Sequence, residues 1–302
     1  MCETSPRKPM REYVMAFRKI LVPLRGGGRD DAVLTAAVAA AKAFDAWALG
    51  FFARPDATEA LPYLGEGLSA GVIQEIIEAA QSAAEKASTQ ARLTVEAVAA
   101  REGVPLSHSV PVTGRASLGF HTRTGVLNDL LYEETILSDL VISDGADLAG
   151  HPALRDALET VLLSARRPVM LLPDKPPGQI GAKIAIGWDG GLAAAHAVSS
   201  ALPWLMRARA VEILTIGLGP SGVAEMDRLR DYLRLHGIQA VEHAIQTSDL
   251  GPGAALTEAA QRAGADMLVM GAYGHSRLRE MILGGATRHI LSHVSLPVFM
   301  AH

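Results

Sequence analysis

The chain has 302 residues, 49% of them hydrophobic and 20% charged, with a formal net charge of −4 at pH 7. That length suits two domains of ordinary size, and that hydrophobic share supports buried cores and excludes a disordered chain. The acidic balance excludes a basic reader of nucleic-acid backbones, the lone Cys2 excludes a disulfide framework, and no apolar run reaches the roughly 18–20 residues of a membrane span.

Residues 1–16 open with MCETSPRKPMREYV, polar and of mixed charge, without the apolar stretch of a secretory signal. A flexible tail is expected there, and the reduced cysteine fits a cytoplasmic location. Strands follow near Lys19–Leu24, Ala48–Ala53, Ser107–Val112, Leu140–Ser143 and Val169–Leu172. A long helix is expected from about Ser69 to Arg101. Its Val72, Ile73, Ile76, Ile77, Ala80 and Ala84 recur at three-to-four spacing, the pattern of a face packed on a core or domain interface. Pro173–Gly181 (PDKPPGQIG) reads as a linker between domains 17–175 and 176–302.

The second half repeats the grammar of the first. Ala182–Gly190 (AKIAIGWDG) answers Arg18–Gly26 (RKILVPLRG), ADMLVM answers SDLVIS, and LPVFMA answers RPVMLL. Strands are expected near Lys183–Trp188, Val211–Ile216, Ala240–Gln246, Met267–Met270 and Pro297–Met300. Helices are expected near Ala193–Met206, Gly222–Leu235, Ala254–Ala263 and Gly285–His293. Short apolar strands alternating with amphipathic helices predict an α/β fold: two tandem, doubly wound domains, each a parallel sheet covered on both faces.

The chemistry concentrates between Met267 and Met300. A buried strand leads into Gly271 and Gly274, and Gly284 and Gly285 precede Ala286, Thr287 and an apolar helix. Glycines at a strand end and a helix start let backbone N–H groups approach an anion, where the helix dipole favours negative charge.

Gly271-x2-Gly274-x9-Gly284 resembles the nucleotide-binding signature of the universal stress protein family, as do AYGHSR, GGATRHIL and the closing SLPVFMAH. Asp189, ending KIAIGWD, stands where that family places its first-strand aspartate. The resemblance runs from about Phe17 to the end as two tandem domains, with the specific motif in the second. It implies a Rossmann-like, adenine nucleotide hydrolase-like fold with five-stranded parallel sheets. It also implies a pseudo-dimer in which the last strands, Val169–Leu172 and Val298–Met300, pair. The implied ligand is ATP, with Mg²⁺, at the carboxyl ends of the first and fourth strands, where open parallel sheets bind ligands. Asp189 would contact the ribose or adenine, and Ile216 would line the adenine pocket. Met270, Gly271 and Gly274 would follow the sugar–phosphate path. Gly284, Gly285, Ala286 and Thr287 would meet the phosphates, with His275 and Arg277 neutralising charge. Gly285 departs from the family, which places Ser or Thr there.

In the first half Asp144 and Asp147 take the places of Gly271 and Gly274, and Arg25 that of Asp189. Carboxylates there would repel phosphate, so that half is expected not to bind ATP. Arg25–Asp31 (RGGGRDD) is read as a turn with Asp30 or Asp31 as helix N-cap. Adjacent carboxylates (Glu133–Glu134, Asp30–Asp31) are read as solvated. His289 and His293 lack a third metal ligand. No catalytic constellation is present, so ATP would be retained as a stress signal, with at most slow hydrolysis or self-phosphorylation. A scaffold acting by protein contact, without nucleotide, is the alternative. Association of two chains and an unidentified protein partner are compatible with either.

Overall fold

The computed structural model describes residues 16–56, 69–107, 109–111, 114–146, 148–216, 220–245, 251–274 and 285–302. Nearly all of the expected tail, and Asp147, His275, Arg277 and Gly284, lie outside the described residues.

The first half comprises β1 (Lys19–Pro23), α1 (Asp30–Phe44), β2 (Trp47–Arg54), α2 (Ala70–Glu102), β3 (Ser117–Thr124), α3 (Leu127–Thr135), β4 (Leu140–Asp144), α4 (Pro152–Leu163) and β5 (Val169–Leu172). The second comprises β6 (Lys183–Trp188), α5 (Leu192–Leu205), β7 (Ala210–Ile216), α6 (Pro220–Leu235), β8 (Ala240–Ile245), α7 (Pro252–Arg262), β9 (Met267–Gly271), α8 (Gly285–Ser292) and β10 (Val298–Ala301). Among the described residues the strands form one 10-stranded sheet, in the order β3-β2-β1-β4-β5-β10-β9-β6-β7-β8. Each half is parallel throughout, and the halves meet at one antiparallel seam, Met170 opposite Phe299. The expected tandem, pseudo-dimeric α/β fold is what forms.

Helices cover both faces, which is why β4, β5 and β10 are buried along their whole length. One core joins Ile20, Val22, Ile184, Ile186 and Phe299 to α1, α2, α5 and α6; the other joins Leu21, Val141, Leu171, Leu268 and Met300 to α3, α4, α7 and α8. Aromatic rings cross the seam: Phe17 lies 5.1 Å from Phe44 and 6.4 Å from Phe299, and Phe44 stands edge-on to Trp204 at 4.9 Å.

The structure corrects the sequence reading in four places. The expected strand at Ser107–Val112, of which His108 and Val112 lie outside the described residues, is not the edge strand; β3 is. Leu106 makes only an isolated bridge to Leu118. The apolar stripe on α2 is not core, since Val72 is 41% and Ile76 38% exposed; burial begins at Ser88 and Ala91. Asp30 does not cap α1: Arg29 holds the cap position, and the Asp30 carboxylate turns back to accept N–H groups of Arg25 at 3.1 Å and Gly26 at 2.8 Å. Nor is Asp30 solvated, being 5% exposed, while Glu134 pairs with Lys19 and Arg123, each at 3.5 Å.

One buried carboxylate gives a pH prediction. Glu212 on β7 accepts from Lys183 Nζ at 2.9 Å and pairs with His243 Nε2. Burial alone would raise its pKa, but the hydrogen bonds and charges of Lys183 and His243 outweigh it and leave the carboxyl below its ordinary value. A depressed carboxyl contributes stability at pH above its unfolded pKa and loses it as pH falls through the folded value. Glu212→Gln should therefore lower stability at neutral pH by about 1–3 kcal/mol, with the difference from wild type shrinking as pH falls below about 4. Urea titrations at both pH values check it; a pH-independent difference would refute the assignment.

Candidate nucleotide site in the second half

The crevice forms where β6 and β9 end side by side, with Gly187 opposite Met270. The chain leaves β6 through Asp189, whose Oδ1 accepts the Gly191 N–H at 2.8 Å and so shapes the turn into α5. Gly271 closes β9 against the first turn of α5. A Cβ there would lie 2.5 Å from Ala194 N and 2.7 Å from Ala193 C, so only glycine fits. A Cβ on Gly274 would lie 3.4 Å from Ala193 Cβ and 3.9 Å from Asp189 Oδ2. The aspartate and both described glycines therefore converge on the start of α5.

The segment between them is held by backbone and hydroxyl contacts. Ala272 N–H donates to Ala301 O at 2.8 Å, and Tyr273 N–H donates to Thr287 Oγ1 at 3.2 Å. Tyr273 adopts φ 55°, a left-handed conformation that this bond helps to fix. Thr287 is buried, so its oxygen fastens the loop to α8 while its O–H remains a donor. Gly285 is exposed and Ala286 half-buried at the start of α8, whose first N–H groups have no partner within the helix. Ile216 ends β7 half-buried. Met270 is 4% exposed and its side chain belongs to the core.

Sequence reasoning missed the crevice's second wall. Ala193 and Ala194 receive Gly271, and a Cβ on Gly253 in α7 would lie 2.8 Å from His289 Cβ and 2.9 Å from Ala286 Cα. The signal was present: GGLAAA after Asp189 and PGAA at Pro252 place small residues where helices must come close. A separate groove of about 580 Å³ runs between α5 and α6, lined by Trp188, Val198, Glu225, Arg228 and Tyr232. It contains none of Gly271, Gly274 or Gly285, so the glycine chemistry is not there.

Among the described residues no cluster of three His, Cys, Asp or Glu side chains is placed to hold a metal. His289 and His293 stack at 5.0 Å, and burial, with the neighbouring His293, lowers the His289 pKa. Nor is any helix among the described residues long and apolar enough to cross a membrane.

Comparison with known proteins agrees with this architecture. The Universal stress protein family matches residues 193–302, from the start of α5 through the glycine loop to the last strand. Residues 193–302 carry a universal stress protein domain. Over the whole chain, a universal stress protein from Archaeoglobus fulgidus DSM 4304 superposes with a TM-score of 0.66 at 16% identity, covering 94% of this chain and 97% of that one. A putative universal stress protein from Pseudomonas aeruginosa UCBPP-PA14 superposes with a TM-score of 0.53 at 17% identity, covering 95% and 93%. At such identities the likeness is one of fold, and it extends the universal stress protein architecture to both halves as a tandem. No curated protein matches the chain by sequence.

Proposed function

We propose that the second half, residues 176–302, binds an adenine nucleotide, ATP with Mg²⁺, as a retained regulatory or sensing ligand in a cytoplasmic stress response. We take residues 17–175 as the domain that binds none. The observation that carries the reading is the meeting of Asp189, Gly271 and Gly274 at the start of α5. Asp189 would hold the ribose or adenine, with Ile216 beside the base. Gly271 and Gly274 leave room for the sugar–phosphate path, and Gly285, Ala286 and Thr287 supply N–H groups at the start of α8. Mg²⁺ would travel on the phosphate oxygens, with the exposed Asp189 carboxylate close to Gly274. His275, Arg277 and Gly284 belong to the proposal through the motif alone.

Gly285 gives a direct test. A Cβ there would meet only Pro252, at 3.9 Å, so serine fits without strain. Gly285→Ser restores the family's hydroxyl and is expected to tighten ATP binding about three- to tenfold, the worth of one neutral hydrogen bond. Calorimetry reads this directly, and equal affinities would remove the phosphate role of the α8 start. The scaffold reading draws on one observation, the half-exposed Val72 and Ile76 on α2. It predicts protein free of adenine nucleotide on purification.

A further inference from the structure

The first half's crevice is not an empty version of the second's. Asp144 ends β4 as Gly271 ends β9, and Arg25 leaves β1 as Asp189 leaves β6. Between them lies the side chain of Arg29. Its Nε donates to Asp144 Oδ2 at 2.7 Å and its Nη2 to Asp144 Oδ1 at 2.8 Å, a fork on a carboxylate whose side chain is only 8% exposed. The remaining donors reach the chain leaving β5: Nη2 to Pro173 O at 3.2 Å, Nη1 to Asp174 O at 3.1 Å, and Nη1 to the Asp174 carboxylate. Every N–H of the guanidinium is thereby used.

The rest of the crevice is filled in the same way. Arg25 lies 3.9 Å from Asp144 and contacts His151, and the Arg25–Gly26 backbone N–H groups close on the Asp30 carboxylate. Burial pushes Asp30 upward in pKa, against the opposing pull of those N–H groups. Where the second half offers N–H groups and space, the first supplies its own carboxylates and cations.

We propose that Arg29 is an internal ligand of the first half's crevice and a clasp that ties the end of β4 to the end of β5, and so steadies the seam between the two halves. The placement explains the reach: Pro173 and Asp174 directly follow β5, the strand that pairs with β10, and Gly145 N–H adds a bond to Leu172 O at 2.9 Å. The second half's turn, Gly190 to Ala195, carries no cation that could do the same. The clasp stands whether or not the second half takes a nucleotide.

Hydrogen exchange on the full chain tests it. Arg29→Met removes the fork while keeping an apolar stem of similar length. The expected result is exchange at least about tenfold faster at the β5 and β10 amides, because the variant loses the whole fork and more than one charge-assisted hydrogen bond, with β7 and β8 unchanged. Asp174→Asn, which cuts one arm of the clasp, should act on the same amides and more weakly. Unchanged exchange at β5 and β10, or equal acceleration of every strand, would overturn the proposal. Should Arg29→Met fail to fold, Arg29→Lys, which keeps the charge and loses the fork, is read by the same two criteria.

Discussion

Phe299→Ala is expected to destabilise the protein by about 3–5 kcal/mol, the usual cost of deleting a fully buried ring. Phe299 is 0% exposed and sits at the seam itself, opposite Met170 across the antiparallel pair. Its ring packs with Phe17, which in turn touches Phe44, and Phe44 meets Trp204. The cavity would thus open between residues of both halves, where neither half can collapse into it alone. Urea denaturation followed by tryptophan fluorescence reads the loss, and Leu235→Ala serves as control because Leu235 is 84% exposed. The control should change stability by less than about 0.5 kcal/mol. A cost below about 1 kcal/mol for Phe299→Ala would mean that the seam is not a packed core.

Gly271→Val is expected to abolish nucleotide binding, weakening it at least about 100-fold, and to cost about 1–3 kcal/mol of stability. The added Cβ would press on Ala194 N and Ala193 C, which are helix backbone and cannot rotate aside. Either β9 or the first turn of α5 must shift, and both form the crevice. Gly274→Ala separates the site from the fold. Its Cβ would meet Ala193 Cβ at an ordinary 3.4 Å, so stability should hold while the methyl group intrudes beside Asp189. Loss of affinity in both variants, with loss of stability in Gly271→Val alone, is the expected pattern.

Most of this fold was legible because buried strands announce themselves. Val169–Leu172 and Lys183–Trp188 form where the sequence placed them, since both are apolar runs that lie inside the sheet. The error at β3 has a physical cause. An edge strand is half solvated, so Ser117–Thr124 (SLGFHTRT) carries polar residues that mask it, while SHSVPV before it alternates more cleanly. For α2 the periodicity was right and the inference from it was not. Thirty-three residues make a helix about 50 Å long, whereas an eight-residue strand spans about 26 Å. Part of such a helix must run past the sheet, and periodicity cannot say which part.

The glycine motif named the crevice without its walls. Gly271 and Gly274 were visible as spacing, but the alanines that receive them come from a helix nearly eighty residues earlier in the chain, about a domain's half-length. The first half's substitution was visible as Asp144 for glycine. What the sequence could not disclose was that Arg29, four residues after Arg25, would fill the resulting space. Long-range ion pairs leave no periodic trace.

The most direct test of the account is a calorimetric titration of ATP into nucleotide-stripped protein, run beside Gly271→Val. The account predicts one ATP bound per chain in the wild type and none in the variant. Two ATP per chain, none at all, or binding that survives Gly271→Val would contradict it.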